Sequence, residues 1–349
     1  MIYFDVTKAS GAAHRSGLTR VSARLLEELG TAATPVIWKN RGWVSAATNE
    51  RIIMTAADWL LTAELFCEEE RRGFWTFLRE RHVRTAAIFH DAIPLRYPQI
   101  TWPQSVARHP EYMKMLAAFD RVFAVSRTSA DDLTGFWRWQ EVEARARVET
   151  LLLGADFSPT LKANQARGAD RGEKPLLLCV GILEPRKNQT FLLEICEELW
   201  AAGLSFELAI VGRVNPHFGK PLERQIATLR RNGRAVSHHA GIDDRALGEL
   251  YRRATASVFP TIAEGCGLPP LESLWLGVPC ICSDLPVLRE TALGPGCELI
   301  PLNDRGAWTL ILRRIITDTA WRDQFREDAS RRVVPRWIQT AERLRSFLT

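Results

Sequence analysis

The chain has 349 residues, is 46% hydrophobic and 25% charged, and carries a formal net charge of +5. That much apolar residue exceeds what one core takes up, since cores seldom grow beyond about 250 residues, while no apolar run is long enough to cross a bilayer. The mild positive excess suits an anionic ligand or an anionic membrane surface; with no dense basic stripe and no recognition signature, nucleic acid is not expected as a partner.

The N-terminus, "MIYFDVTKASG", lacks a basic start followed by an apolar stretch, so no secretory leader is read and a cytoplasmic location is expected. "MIYFDV" (1–6) reads as a strand, and "LTRVSARLLEELG" (18–30) as a helix with a glycine stop. Gly17 stands at that strand-to-helix crossing. It is a weak phosphate-loop signal, because the full G-x-G-x-x-G is missing. "TPVIW", "TAAIFH" and "RVFAVS" read as further strands, separated by helical stretches near 66–81, 103–118 and 127–139. "AAIFHDAIPLRYP" (86–98) ends its strand at His90 and Asp91. A histidine there is either satisfied by nearby backbone or turned toward the edge where parallel sheets bind ligands. Two basic, aromatic-rich stretches, 71–84 and 136–149, read as amphipathic helices with aromatics inward and arginines outward, or as surfaces for anionic lipid.

Between about 154 and 174 the alternation breaks into a polar, Gly- and Pro-containing linker. It resumes with strands at 176–181, 206–212, 234–241, 256–261, 278–283 and 297–302, with helical stretches between them. Strand and helix in turn imply parallel sheets covered by helices, in two α/β domains. The seven cysteines are scattered without a C-x-x-C pair and read as buried reduced thiols. Cys280 and Cys282 share a face of one strand, but two thiols alone make a poor metal site.

Ligands of parallel sheets sit beyond the carboxyl ends of strands. In "VGILEPRKNQTFLLEICEEL" (180–199) a strand ends at Gly181, and Arg186 and Lys187 precede a helix that opens near Asn188. Cations beside a helix N-terminus form an anion pocket, unless the loop merely meets water. In "TIAEGCGLPPLESLWLGVPC" (261–280), Glu264 and Glu272 bracket seven residues that include Gly265, Gly267 and the Pro269–Pro270 pair. Prolines suit a first helical turn, which places Glu272 in that turn and off the apolar side formed by Leu271, Leu274 and Trp275. The pair of acids would then flank backbone N–H groups suited to a diphosphate and reach the hydroxyls of a ribose and a sugar. A glutamate at such a place is also common without any function. No third acid or histidine stands at ligand spacing, so no metal is expected.

Together these segments resemble one family: the retaining nucleotide-sugar glycosyltransferases of the GT-B fold, group 1 (family 4). "VGILEPRKN" is similar to its "VGTLEPRKN" segment, and "EGCGLPPLESLWLGVPCICSDLPVLRE" to its Glu-seven-Glu segment. "GIDDRALGELYRRATASVFPT", "FHDAIPLRYP", "VSRTSADDL" and "PRWIQTAERLRSFL" resemble further blocks. The resemblance implies an α/β GT-B fold of two Rossmann-like, doubly wound parallel-sheet domains facing a cleft. Residues 1–160 would bind the acceptor, 161–174 link, and 175–334 bind the donor nucleotide, with the helix 335–349 returning to the first domain.

It further implies roles. Lys187, helped by Arg186, would hold the donor diphosphate, which the Gly265–Cys266–Gly267–Leu268 backbone approaches. Glu272 would bind ribose hydroxyls and Glu264 those of the transferred sugar. His90 would sit near that sugar and the leaving phosphate, and Gly17 and Asp91 would belong to the acceptor or phosphate loop. Lys187, Glu264 and His90 form the expected catalytic set. The reaction implied moves a hexose such as mannose from a GDP- or UDP-sugar, without cofactor or metal, to a hydroxyl of a glycan or lipid-linked acceptor in bacterial surface polysaccharide synthesis. Such an enzyme could lie at the inner face of the membrane. An epimerase of the same fold and a non-catalytic sugar-nucleotide binder are the alternatives. Two departures stand out: Ile182 occupies the place of a frequent arginine, and Cys266 that of a usual phenylalanine.

Overall fold

The computed structural model describes residues 1–11, 17–156 and 174–348. Apart from Lys174, the linker read at 161–174 therefore lies outside the described residues, as do residues 157–160 and the terminal Thr349. The chain divides into two compact units, Met1–Gly154 with Pro335–Thr349, and Ala155–Val334.

The first unit holds a seven-stranded sheet: β1 (Ile2–Asp5), β2 (Ala33–Lys39), β3 (Gly42–Ser45), β4 (Trp59–Thr62), β5 (Arg84–Phe89), β6 (Arg121–Ala124) and β7 (Arg147–Thr150). Their order is β3-β2-β1-β4-β5-β6-β7. β1, β4, β5 and β6 are buried nearly throughout, which explains their mostly apolar character. One edge departs from the parallel expectation: β3 pairs antiparallel with β2. The turn between them is Asn40–Arg41, both at positive φ (51° and 59°), the backbone that a two-residue hairpin requires. The helix read near 66–81 is shorter, Phe74–Glu80, and is entered through Gly73 at φ 86°. Arg71, read as an outward residue, is 1% exposed. Trp139 is exposed, while Phe136 and Trp137 of the helix Arg127–Trp139 are buried. The last helix, Trp337–Leu348, packs in this unit, where Thr340 donates to the Leu152 carbonyl at 2.9 Å.

The second unit is a six-stranded, wholly parallel sheet: β8 (Leu176–Val180), β9 (Glu207–Val211), β10 (Val236–His239), β11 (Ala256–Phe259), β12 (Cys280–Ser283) and β13 (Cys297–Ile300). The order β10-β9-β8-β11-β12-β13 is doubly wound. Its core gathers Leu177, Leu192, Leu208, Ile281 and Trp308, with Trp200 stacked on Phe206 at 4.8 Å. In both sheets the winding reverses beside the first strand, between β1 and β4 and between β8 and β11. Helices on either side of such a reversal diverge and leave a crevice at the strands' carboxyl ends.

Candidate active site

At the β8/β11 reversal two loops meet. After β8 the chain passes Gly181 and a short 3₁₀ turn, Pro185–Lys187, then enters the helix Gln189–Ala201 through Asn188 in the left-handed conformation. Gly181 is required here. It holds a φ of 156°, and a Cβ on it would press on the Lys187 stem at 3.2–3.3 Å. The Ile262 amide donates to the Arg186 carbonyl at 2.8 Å and ties the β11 loop to this turn.

The side chains there form one knot. Lys187 Nζ donates to Glu264 Oε1 at 2.5 Å, and Thr261 Oγ1 donates to the same oxygen at 2.9 Å. Arg186 donates through Nε to Glu184 (3.0 Å) and through one terminal nitrogen to the Ala263 carbonyl (3.0 Å) and Glu264 Oε2 (3.3 Å). Asn215 Nδ2 fixes the other oxygen of Glu184 at 3.1 Å. Lys187 and Glu264 side chains are each 11% exposed. Burial opposes the ionised Glu264, but Lys187 and Arg186 outweigh it and lower its pKa. Burial, then the like charge of Arg186, lowers that of Lys187 against the pull of Glu264. An ammonium has three N–H bonds, and among the described residues only Glu264 takes one from Lys187, so two remain for a ligand.

Glu272 departs from expectation. The helix is Leu268–Trp275, capped by Gly267 at φ 78°, so it opens before the prolines and places Glu272 in its second turn. The residue is 4% exposed rather than on a solvent face, because Pro270 through Trp275 are all buried. Prolines at the second and third helical positions also remove two of the N–H groups expected to bracket a diphosphate. Cys266 is buried, and its carbonyl accepts from Thr291 at 3.0 Å.

In the first unit, His90 follows β5 and is buried, with Nε2 at 2.9 Å from the Ala63 carbonyl. A carbonyl can only accept, so Nε2 carries the proton and Nδ1 keeps the lone pair. Burial lowers the His90 pKa, which keeps the imidazole neutral. Asp91 accepts the Ile93 amide at 3.0 Å, and its own carbonyl accepts from His109 at 2.9 Å. Gly17 begins the helix Gly17–Leu29; the residues before it, 12–16, lie outside the described ones.

Beside the β1/β4 reversal is a group not singled out in the sequence. Arg71 bridges Asp5 (2.5 Å) and Glu64, all three side chains buried. Glu64 also accepts the Lys8 and Ala9 amides at 2.7 and 2.9 Å. A cavity of about 410 Å³ opens there, lined by Lys8, Thr19, Ala63, Glu64, Trp102 and Arg108 among others. The carbonyl that binds His90 and the start of the first helix thus border one cavity. Asp5 ends β1 and was legible by the strand-end rule; Arg71 comes from an irregular loop and gave no signal. Glu184 and Thr261 stand inside the segments quoted above, where nothing local marks them as partners of Arg186 and Glu264.

Against known proteins, residues 162–332 match the family model "Glycosyl transferases group 1". Residues 162–332 form a glycosyltransferase group 1 domain. This group 1 domain contains every unit-two residue of the knot. The serotype-specific mannosyltransferase WbdA of Escherichia coli is 30% identical over 251 residues, 69% of this chain and 30% of that protein. The O-antigen chain mannosyltransferase RfbU of Salmonella typhimurium is 31% identical over 140 residues, 40% of this chain and 37% of that one. The chain thus spans about a third of the length of these curated relatives. Sucrose-phosphate synthase from Thermosynechococcus elongatus shares the fold, with TM-score 0.74, 18% identity and 99% and 97% of the two chains covered. So does Anabaena HepE, solved with UDP and glucose, with TM-score 0.72, 13% identity, and 99% and 98% covered. The fold is GT-B. Among the described residues no helix is long and apolar enough to cross a membrane.

Proposed function

We propose that the chain is a retaining hexosyltransferase that moves a sugar, mannose in the first instance, from a GDP- or UDP-sugar to a hydroxyl of a glycan or lipid-linked oligosaccharide in bacterial surface polysaccharide synthesis. The observation that carries this is Lys187: a nearly buried ammonium beyond β8, held by Glu264, with two donors unspent. Such a group suits the charge that grows on a departing diphosphate and is positioned before the reaction begins. Arg186 adds positive charge but is committed to Glu184 and the Ala263 carbonyl, so its part is to hold the loop. Glu264, ionised and oriented by three donors, offers its remaining lone pairs to sugar hydroxyls. In this reading Glu272 serves the ribose, and His90, in the first unit, keeps an accepting Nδ1 for a sugar hydroxyl.

The mannosyltransferase relatives support the sugar, and the O-antigen names among them support the pathway. HepE, with UDP bound, supports a nucleotide donor. No metal is required in this scheme, since Lys187 supplies the cation. The cavity lined by Glu64, Trp102 and Arg108 is a place for the acceptor, its aromatic and charged groups matching a polyhydroxylated ring. Contact with anionic lipid belongs to the same proposal and rests on the charge excess. Lys187→Ala tests the reading: a charge-assisted bond contributes about 1.5–3 kcal/mol, so transfer should fall about 10- to 100-fold. An unchanged rate in the folded variant contradicts it. Isomerisation of donor without acceptor would favour the epimerase instead.

A further inference from the structure

Beyond the proposed transfer site, the second unit contains a group of three sulfurs. Cys280 and Cys282 lie on one face of β12, and Cys297 begins β13 directly opposite Cys280 in the parallel register. Alternation along one strand and pairing across to the next bring all three thiols to the same side of the sheet. Their Sγ atoms lie within 4.8 Å of one another. Cys280 and Cys282 are fully buried and Cys297 is 8% exposed. The sequence shows the first two as a pair; the third, fifteen residues beyond Cys282, joins them only through strand pairing.

We propose that Cys280, Cys282 and Cys297 form a three-thiolate site for one soft divalent cation of the zinc class. Thiolate is the ligand that such ions prefer, and sulfurs at about 2.3 Å from a central ion stand about 4 Å apart, so small side-chain rotations close the present triangle. On binding, the three thiols release three protons to solvent, and three S–metal bonds form without change of oxidation state. The site then carries 3 negative and 2 positive charges, a net charge of about −1. Arg332 is placed to balance it. Its guanidinium donates to the Leu293 and Pro295 carbonyls at 2.9 and 3.3 Å, on the loop that leads into Cys297.

The test uses the reduced full chain titrated with Cd²⁺ alone. Expected are one tightly held Cd²⁺ per chain, a sulfur-to-cadmium charge-transfer band, and a cadmium NMR shift typical of three sulfurs. Cys297→Ala and Cys280→Val, each checked for native circular dichroism, should weaken binding at least about tenfold. Cys196→Ala, in the separate core cluster, should leave it unchanged. No band in the unmutated chain, an oxygen-type shift, or a band retained in both cluster variants would overturn the site; the NMR shift needs no variant to fold.

Discussion

Lys187 and Glu264 impose opposite demands on the same burial. Each lowers the desolvation cost of the other, and removing one strands a charge. Glu264→Gln should therefore lower the thermal midpoint, and adding Lys187→Met should recover part of the loss. A double-mutant cycle by thermal denaturation reads the coupling. The Asp5–Arg71–Glu64 triad has a different imbalance, with two acids facing one guanidinium. Burial first, then Asp5, raises the Glu64 pKa to about 7. The native state thus holds this proton more tightly than the unfolded chain. The stabilisation is complete below about pH 4.5 and is lost as pH rises through about 7. Glu64→Gln should flatten that part of the midpoint-against-pH curve; an unchanged slope would show Glu64 to be ionised throughout. At this scale the sequence displayed residue types but not partners. Lys187 and Glu264 were each legible beside a strand end, whereas their contact crosses 77 residues of chain. Arg71 looked like a solvated helix charge because nothing local shows that its two acids lie 66 and 7 residues away.

Among elements, the parallel strands of the second unit were legible because burial on both faces leaves continuous apolar runs. β3 and β4 were not. β3 is a four-residue edge strand made by a turn without glycine, and β4 lacks flanking turn signals strong enough to set it apart. The helix Leu268–Trp275 was foreseen from its prolines, yet its start lies one residue earlier than they suggest. That step carries Glu272 from the first turn to the second, and the burial of Pro270 through Trp275 on all sides takes it into the interior, where Glu272→Ala should weaken nucleotide binding and also lower stability. Gly181→Val tests the loop after β8. The added side chain meets the Lys187 stem and an unfavourable φ, so donor affinity should fall about tenfold or more while far-ultraviolet circular dichroism stays native. Normal affinity would show that the Lys187 position does not matter to the donor.

On the scale of the whole molecule, the same winding occurs twice, and each unit places its charged group where its own sheet reverses. The two groups differ in kind. The second unit offers a cation with unspent donors, and the first a closed triad beside a cavity with Trp102 and Arg108. If the nucleotide belongs to the second unit, hydrogen exchange with UDP or GDP bound should slow at 181–188 and 261–268 more than at 5–9 and 62–65. A ligand at about 100 times its dissociation constant should also stabilise the chain by about 2.7 kcal/mol, and the nucleotide that does so identifies the donor base. The most direct measurement is a crystal structure with that nucleoside diphosphate bound. The expected result is a diphosphate oxygen within hydrogen-bond distance of Lys187 Nζ, beside Glu264 and the 265–268 backbone. A well-ordered nucleotide bound away from Lys187 would contradict the assignment.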